Sequence, residues 1–167
     1  LNVEPWPSGD AGMLALLGEL RAAMPAGKVL SVAAYPPPTR WQPDAEIHWS
    51  LDYMRRVAQA SDQLAVMMYD TAIIAPGAYE SLMARWTREE LDATRGRALL
   101  LGVPAYDDEG VGWHRSYVEN LDHALRGLHA GLPDTPPRQY QGVAVYAEWE
   151  LDETEWATLR ARFLRRR

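Results

Sequence analysis

Carboxylates and aromatic rings recur at one kind of place in this chain, the C-terminal end of each short apolar run. Asn2, Glu4 and Trp6 lie at the end of the run 1–5, and Tyr35 closes 28–35. Met67, Tyr69 and Asp70 close 63–70, Tyr106 and Asp107 end 98–106, and Tyr146, Glu148 and Trp149 end 141–149. A positioned carboxyl group can deliver a proton in one step and recover it in the next. Tyr and Trp offer a flat apolar face with a polar handle, which suits stacking on sugar rings. The chain uses 7 Trp and 8 Tyr against 1 Phe, so its aromatics are skewed toward that type. Alternate side chains on a strand share a face, and Asn2 and Glu4 are therefore expected to point the same way.

Composition narrows the chemistry. With no cysteine among 167 residues, a disulfide scaffold, a thiolate nucleophile and a cysteine-ligated metal are excluded. A net charge of −6 argues against a nucleic-acid groove, which needs clustered Lys and Arg. The basic run Arg165-Arg166-Arg167 closes a helical pattern and suits a helix C-terminus. No apolar run reaches the ~18 residues of a membrane span. His48, His114, His123 and His129 show no metal-binding spacing, and His123 and His129 are expected to be solvated. The acidic stretch Asp107-Asp108-Glu109 reads as a solvated loop. No Gly-x-Ser-x-Gly elbow, Gly-x-Gly-x-x-Gly or Walker loop occurs, and no metal or cofactor is expected.

The elements that must position these residues alternate regularly. The apolar runs are nearly continuous, as in Val29-Leu30-Ser31-Val32-Ala33-Ala34, which predicts parallel strands covered on both faces. Between them, helical stripes recur at Met13-Leu17-Leu20-Met24, Ile47-Leu51-Met54, Tyr117-Leu121-Leu125-Leu128 and Trp156-Leu159-Phe163, with a further helix over 79–91. Capping is expected at 8–10, at Ser116, and at Asp152 or Thr154. Trp41, Trp86, Trp113 and Trp156 read as packing residues, with Trp41 and Trp113 as candidate subsite walls. Pro36-Pro37-Pro38 and the prolines of 133–137 mark linkers. Five βα units suit either a doubly wound sheet or a (β/α)8 barrel, and chemistry at the C-terminal ends of several strands favours the barrel. The fold class read from this pattern is α/β, a (β/α)8 barrel of which the chain supplies strands four to eight. The start at Leu1, inside a strand pattern, reads as an excerpt of a longer chain whose earlier strands are its partners.

These strands resemble glycoside hydrolase family 18. Leu1-Asn2-Val3-Glu4-Pro5 is similar to the end of that family's Asp-x-x-Asp-x-Asp-x-Glu signature on the fourth barrel strand. Met67-Met68-Tyr69-Asp70 matches its Met-x-Tyr-Asp on the sixth, and Gly102-Val103-Pro104-Ala105-Tyr106 resembles Gly-x-Pro-x-Tyr on the seventh. Gly142-Val143-Ala144-Val145-Tyr146 resembles the eighth. The resemblance implies cleavage of N-acetylglucosamine-containing glycans with retention, the substrate's own acetamido group acting as nucleophile. It assigns Glu4 as general acid and then base, with its pKa raised by apolar surroundings and nearby negative charge. Tyr69 and Asp70 would hold the acetamido group and stabilise the charged intermediate. Trp6, Tyr35, Met67, Tyr106, Asp107, Tyr146, Glu148 and Trp149 would line the sugar site. The family implies an oligosaccharide or polysaccharide substrate and an extracellular or periplasmic setting.

Two departures keep alternatives open. Asn2 stands where the family usually has Asp, so it can accept the acetamido N–H but cannot relay a proton. Family 85 endo-β-N-acetylglucosaminidases are similar in using Asn-x-Glu. An inactive chitinase-like carbohydrate-binding barrel is the second reading. A third is a two-carboxylate glycosidase using Glu4 and Glu148.

Overall fold

The computed structural model describes all residues except Asp108, Glu109, Val111 and 164–167. Most of the acidic stretch after Tyr106 and the whole terminal arginine run therefore lie outside the described residues. The order is α1 (Ala11–Ala23), β1 (Ser31–Ala34), α2 (Leu51–Ala60), β2 (Gln63–Val66), α3 (Pro76–Ala93), β3 (Ala98–Pro104), α4 (Leu121–Gly131), β4 (Tyr140–Tyr146), a 3-10 turn (Glu148–Glu150) and α5 (Glu153–Arg162). The fold is α/β, with four parallel strands in the order β1-β2-β3-β4. Residues pair in register as Val32 with Leu64 and Leu64 with Leu99.

The chain divides into two compact units. The first comprises Leu1–Met67, Glu89–Leu101 and Pro137–Gly142; the second comprises Met68–Arg88, Gly102–Pro136 and Val143–Arg167.

In the first unit α1 is capped by Asp10, which accepts from the Met13 N–H at 2.9 Å, and α2 by Ser50. Their buried residues Met13, Leu17, Tyr53, Met54 and Val57 join Val32, Ala34, Leu64, Val66, Leu99 and Leu101 in the unit's core. The alternation in β1 and β2 is strict: Val32, Ala34, Leu64 and Val66 are buried, whereas Ser31, Ala33, Gln63 and Ala65 are only half-buried. Coverage of both faces is thus partial in β1 and β2 and reached over 101–104 of β3, where successive residues are buried. In β1 and β2 one face receives the apolar core, and the small or polar residues of the other are half-buried. The expected strand over 1–5 is also not formed. Leu1 makes a single bridge to β1, donating to the Ser31 carbonyl at 2.6 Å and accepting from the Ala33 N–H at 2.9 Å. The backbone bends at Glu4 and Pro5 before a ladder can extend.

Glu90, in the last turns of α3, is fully buried and neither carboxylate oxygen has a hydrogen-bond partner among the described residues. Burial, and then the charge of Glu89, hold its carboxyl well above the ordinary carboxylate range. A carboxyl that binds its proton more tightly when folded carries no ionisation penalty at low pH and destabilises as pH rises above the unfolded value of 4.5. Glu90→Gln should therefore raise stability at pH 7 by about 1–3 kcal/mol, with the gain vanishing below the unfolded value. Urea melts of both proteins across that range check it, and equal midpoints at neutral pH would contradict it.

In the second unit α3 begins at Pro76, whose missing N–H is no loss at a first helical position. It packs against α4 at two glycines one turn apart. A Cβ on Gly127 would stand 2.5 Å from the Glu80 carbonyl and 2.6 Å from the Met83 Cβ, and one on Gly131 would stand 2.5 Å from the Ala84 carbonyl. Gly127→Ala should cost about 1–3 kcal/mol because backbone, not a flexible side chain, must yield. Thermal unfolding against Gly18→Ala, where added carbon meets nothing, gives the comparison. The close approach also places His123 Nδ1 of α4 2.6 Å from the Glu80 carboxylate of α3, so His123 lies half-buried in the helix contact rather than solvated.

Helix α4 is capped by Asn120, not Ser116; the Asn120 carboxamide accepts from the His123 N–H at 3.1 Å and donates to the Ser116 carbonyl at 3.0 Å. Tyr117 accordingly precedes the helix and is exposed, outside the stripe expected for it. Asp152 caps α5 in a reciprocal capping box with Glu155. Of the four tryptophans read as packing, Trp86 is fully buried in the second unit, whereas Trp41, Trp113 and Trp156 are exposed. No helix among the described residues is long and apolar enough to cross a membrane.

Candidate functional site

The second unit gathers residues from the ends of three strands. Tyr69 and Asp70 follow β2, Tyr106 follows β3, and Tyr146 ends β4. The Tyr106 hydroxyl donates to Asp70 Oδ1. Tyr69 stacks on Tyr146 with ring centres 5.5 Å apart and planes at 12°, and Trp149 meets the edge of Tyr146 at 5.8 Å. Tyr106 closes the group edge-on to both Tyr69 and Tyr146. Tyr146 and Trp149 are exposed, so this aromatic wall is open to solvent. Glu148 and Asp107 are exposed, and the Asp107 N–H points to Glu150 Oε2 at 3.5 Å.

Asp70 adopts a left-handed backbone with φ 61°, and Ala72 does the same at φ 56°. Asp tolerates that region through local hydrogen bonding, but Ala has no such help. Strain of this kind, of order 1–3 kcal/mol, persists only where surrounding contacts over-determine it. Those contacts are present. The Ala72 N–H donates to the Trp113 carbonyl at 2.8 Å. Thr71, between the two, donates its N–H to both oxygens of Glu119 at 3.0 and 3.1 Å, and its hydroxyl to Oε1 at 2.8 Å.

Two functional candidates absent from the sequence reading appear here. His114 stacks on Tyr106 with centres 4.0 Å apart, and its Nε2 lies 2.9 Å from the Tyr106 carbonyl. Its Nδ1 is 3.4 Å from Asp70 Oδ1 and 3.8 Å from Glu119 Oε2. Burial opposes a charge on this imidazole, yet the carboxylates of Asp70 and Glu119 outweigh it and raise its pKa. Burial likewise raises Glu119, against the pull of the Thr71 bonds and His114. The Tyr106 hydroxyl is pushed far up, first by burial and then by its bond to Asp70. The arrangement is a partly exposed carboxylate, Asp70, braced by a phenol and an imidazole beside an aromatic wall.

The remaining predicted residues belong to the first unit. Asn2 and Glu4 are both exposed, so the apolar surroundings expected for Glu4 are not found. Burial, and then the charge and hydrogen bond of Glu4, push the Tyr35 hydroxyl up to about 12. Tyr35 is buried and meets Trp49 edge-on at 6.0 Å. The carbonyl of half-buried Trp6 accepts from the Trp49 indole at 2.8 Å, which gives that residue a packing role. Met67 is half-buried and its N–H donates to the Ala34 carbonyl at 2.9 Å. Glu4 and Tyr35 are thus brought together. No protein-family model, curated protein or solved structure matches this chain.

Proposed function

We propose that the protein is a glycosidase acting on N-acetylglucosamine-containing glycans by retaining, acetamido-assisted catalysis, and that the chain supplies the strand-four-to-eight part of a (β/α)8 barrel, with β1 to β4 as strands five to eight and residues 1–5 at the place of the fourth. The observation that carries the reading is the second unit's cluster. The Tyr69-Asp70, Tyr106 and Tyr146 motifs, far apart in sequence, meet with a partly exposed carboxylate against a ring wall. The uninterrupted strand order β1-β2-β3-β4 supports a barrel, because a doubly wound sheet reverses its order at a switch point.

In this reading Glu4 protonates the departing oxygen and then takes a proton from the attacking water. Asp70, with Tyr69, orients the acetamido group so that its carbonyl oxygen attacks the anomeric carbon, and it offsets the positive charge that develops on the ring nitrogen. The bond from Tyr106 fixes the Asp70 carboxylate before substrate arrives, so little reorganisation is needed at the transition state. Asn2 accepts the acetamido N–H, and Tyr146 and Trp149 stack against sugar faces.

The experiment compares fluorogenic N,N′-diacetylchitobioside with its 2-hydroxy counterpart. Turnover of the first alone supports the proposal. Turnover of both favours the two-carboxylate mechanism with Glu4 and Glu148, and binding without turnover favours a lectin.

A further inference from the structure

His114 has a chemistry that the glycan reading does not use. Its side chain is 1% exposed. The Tyr106 carbonyl at 2.9 Å from Nε2 can only accept, which fixes the N–H on Nε2 and leaves a lone pair on Nδ1 in the neutral ring. Among the described residues no partner meets Nδ1 in ordinary hydrogen-bond geometry, its contact to Asp70 being longer than such a bond. Nδ1 is aimed at Asp70 Oδ1 and Glu119 Oε2, at 3.4 and 3.8 Å. Two carboxylates and this nitrogen directed at one small volume call for positive charge among them, from a proton on Nδ1 or from a bound cation. The three donor atoms all lie within 4.8 Å of one another. Donors on a tetrahedral ion at about 2.0–2.2 Å stand roughly 3.3–3.6 Å apart, closer to this spacing than a hydrogen-bonded imidazole–carboxylate contact is.

We propose that Asp70, His114 and Glu119 bind a divalent first-row transition cation of the zinc class. One imidazole nitrogen and two carboxylate oxygens suit such an ion, and two negative charges neutralise it. Each ligand is also held from behind, as metal ligands characteristically are. The Tyr106 carbonyl takes the far N–H of His114, the Tyr106 hydroxyl donates to Asp70, and Thr71 donates through its N–H and hydroxyl to Glu119. His114 and Glu119 are buried, whereas the Asp70 side chain is 39% exposed, so the open coordination position faces solvent on the Asp70 side. The strained backbone at Asp70 and Ala72 brackets Thr71, the residue that positions Glu119. The proposal does not rest on glycan hydrolysis, and an ion held here takes up the Asp70 charge that the glycan reading directs at the substrate.

The test is metal content and affinity rather than activity. The purified protein is stripped with a chelator and titrated with Co2+ and then Zn2+. The expected result is one equivalent of Co2+ with the visible absorption of a low-symmetry nitrogen–oxygen site, displaced by Zn2+, and a Zn2+-dependent rise in Tm. Glu119→Gln and His114→Ala should each weaken binding at least 100-fold. Thr71→Val, which keeps the fold's shape and removes only the hydroxyl, should weaken it about 10–100-fold. Two results overturn the proposal. One is a folded wild type without stoichiometric uptake and with both His114 ring nitrogens protonated by NMR, which makes the imidazolium the missing charge. The other is uptake unchanged in folded Thr71→Val and Glu119→Gln, which places the ion elsewhere.

Discussion

Glu4→Gln should abolish hydrolysis of the diacetylchitobioside while leaving sugar binding intact. The amide keeps the size and most of the hydrogen bonding of the carboxyl but has no proton to give the leaving oxygen. Loss of a positioned general acid of this kind lowers kcat by about 10²–10⁴-fold. The residue is exposed and its neighbour Tyr35 is buried, so the substitution removes no packing and the variant should unfold at the wild-type temperature. A variant retaining more than a tenth of wild-type kcat would remove Glu4 from the proton path. Parallel binding isotherms separate this outcome from loss of substrate binding.

Asp70→Asn is the second large effect. The Tyr106 hydroxyl can still donate to the carboxamide oxygen, so the local frame survives, but the charge that offsets the developing cation is gone. Removing one such preorganised group costs about 10²–10³ in kcat with little change in KM. The comparison of acetamido and hydroxyl substrates sharpens the point. If Glu4 and Glu148 work as an ordinary carboxylate pair, Asp70→Asn should change kcat less than tenfold on either substrate. Such a result would redirect the assignment to Glu148, in the exposed 3-10 turn after β4.

The other expectations divide the same way between local chemistry and global folding. Glu90 stands out because α3 carries it into a buried position where no donor among the described residues reaches it, and neither its charge nor its neighbours Glu89 and Leu91 mark it in sequence. Gly127 and Gly131 read as helix-weakening residues until α3 is seen lying against them.

The amino-acid pattern alone determined the alternation of strands and helices. Continuous apolar runs located β1 to β4 within a few residues, and three-to-four spacing located the helices, because these periodicities are local to each element. Asp152 was legible as a cap for the same reason, since its partner Glu155 is three residues away. Only the tertiary structure decided the rest. Asn120 displaces Ser116 as the cap of α4 because Ser116 offers its carbonyl to the Asn120 side chain, leaving Tyr117 outside the helix. The strand expected over 1–5 stops at one bridge because the chain bends at Glu4. The grouping of Asp70, His114 and Glu119 was invisible in spacing. A left-handed turn after β2 and the segment between β3 and α4 bring them together, and the energy of that meeting lies in buried charge and hydrogen bonds between residues with no periodic relation.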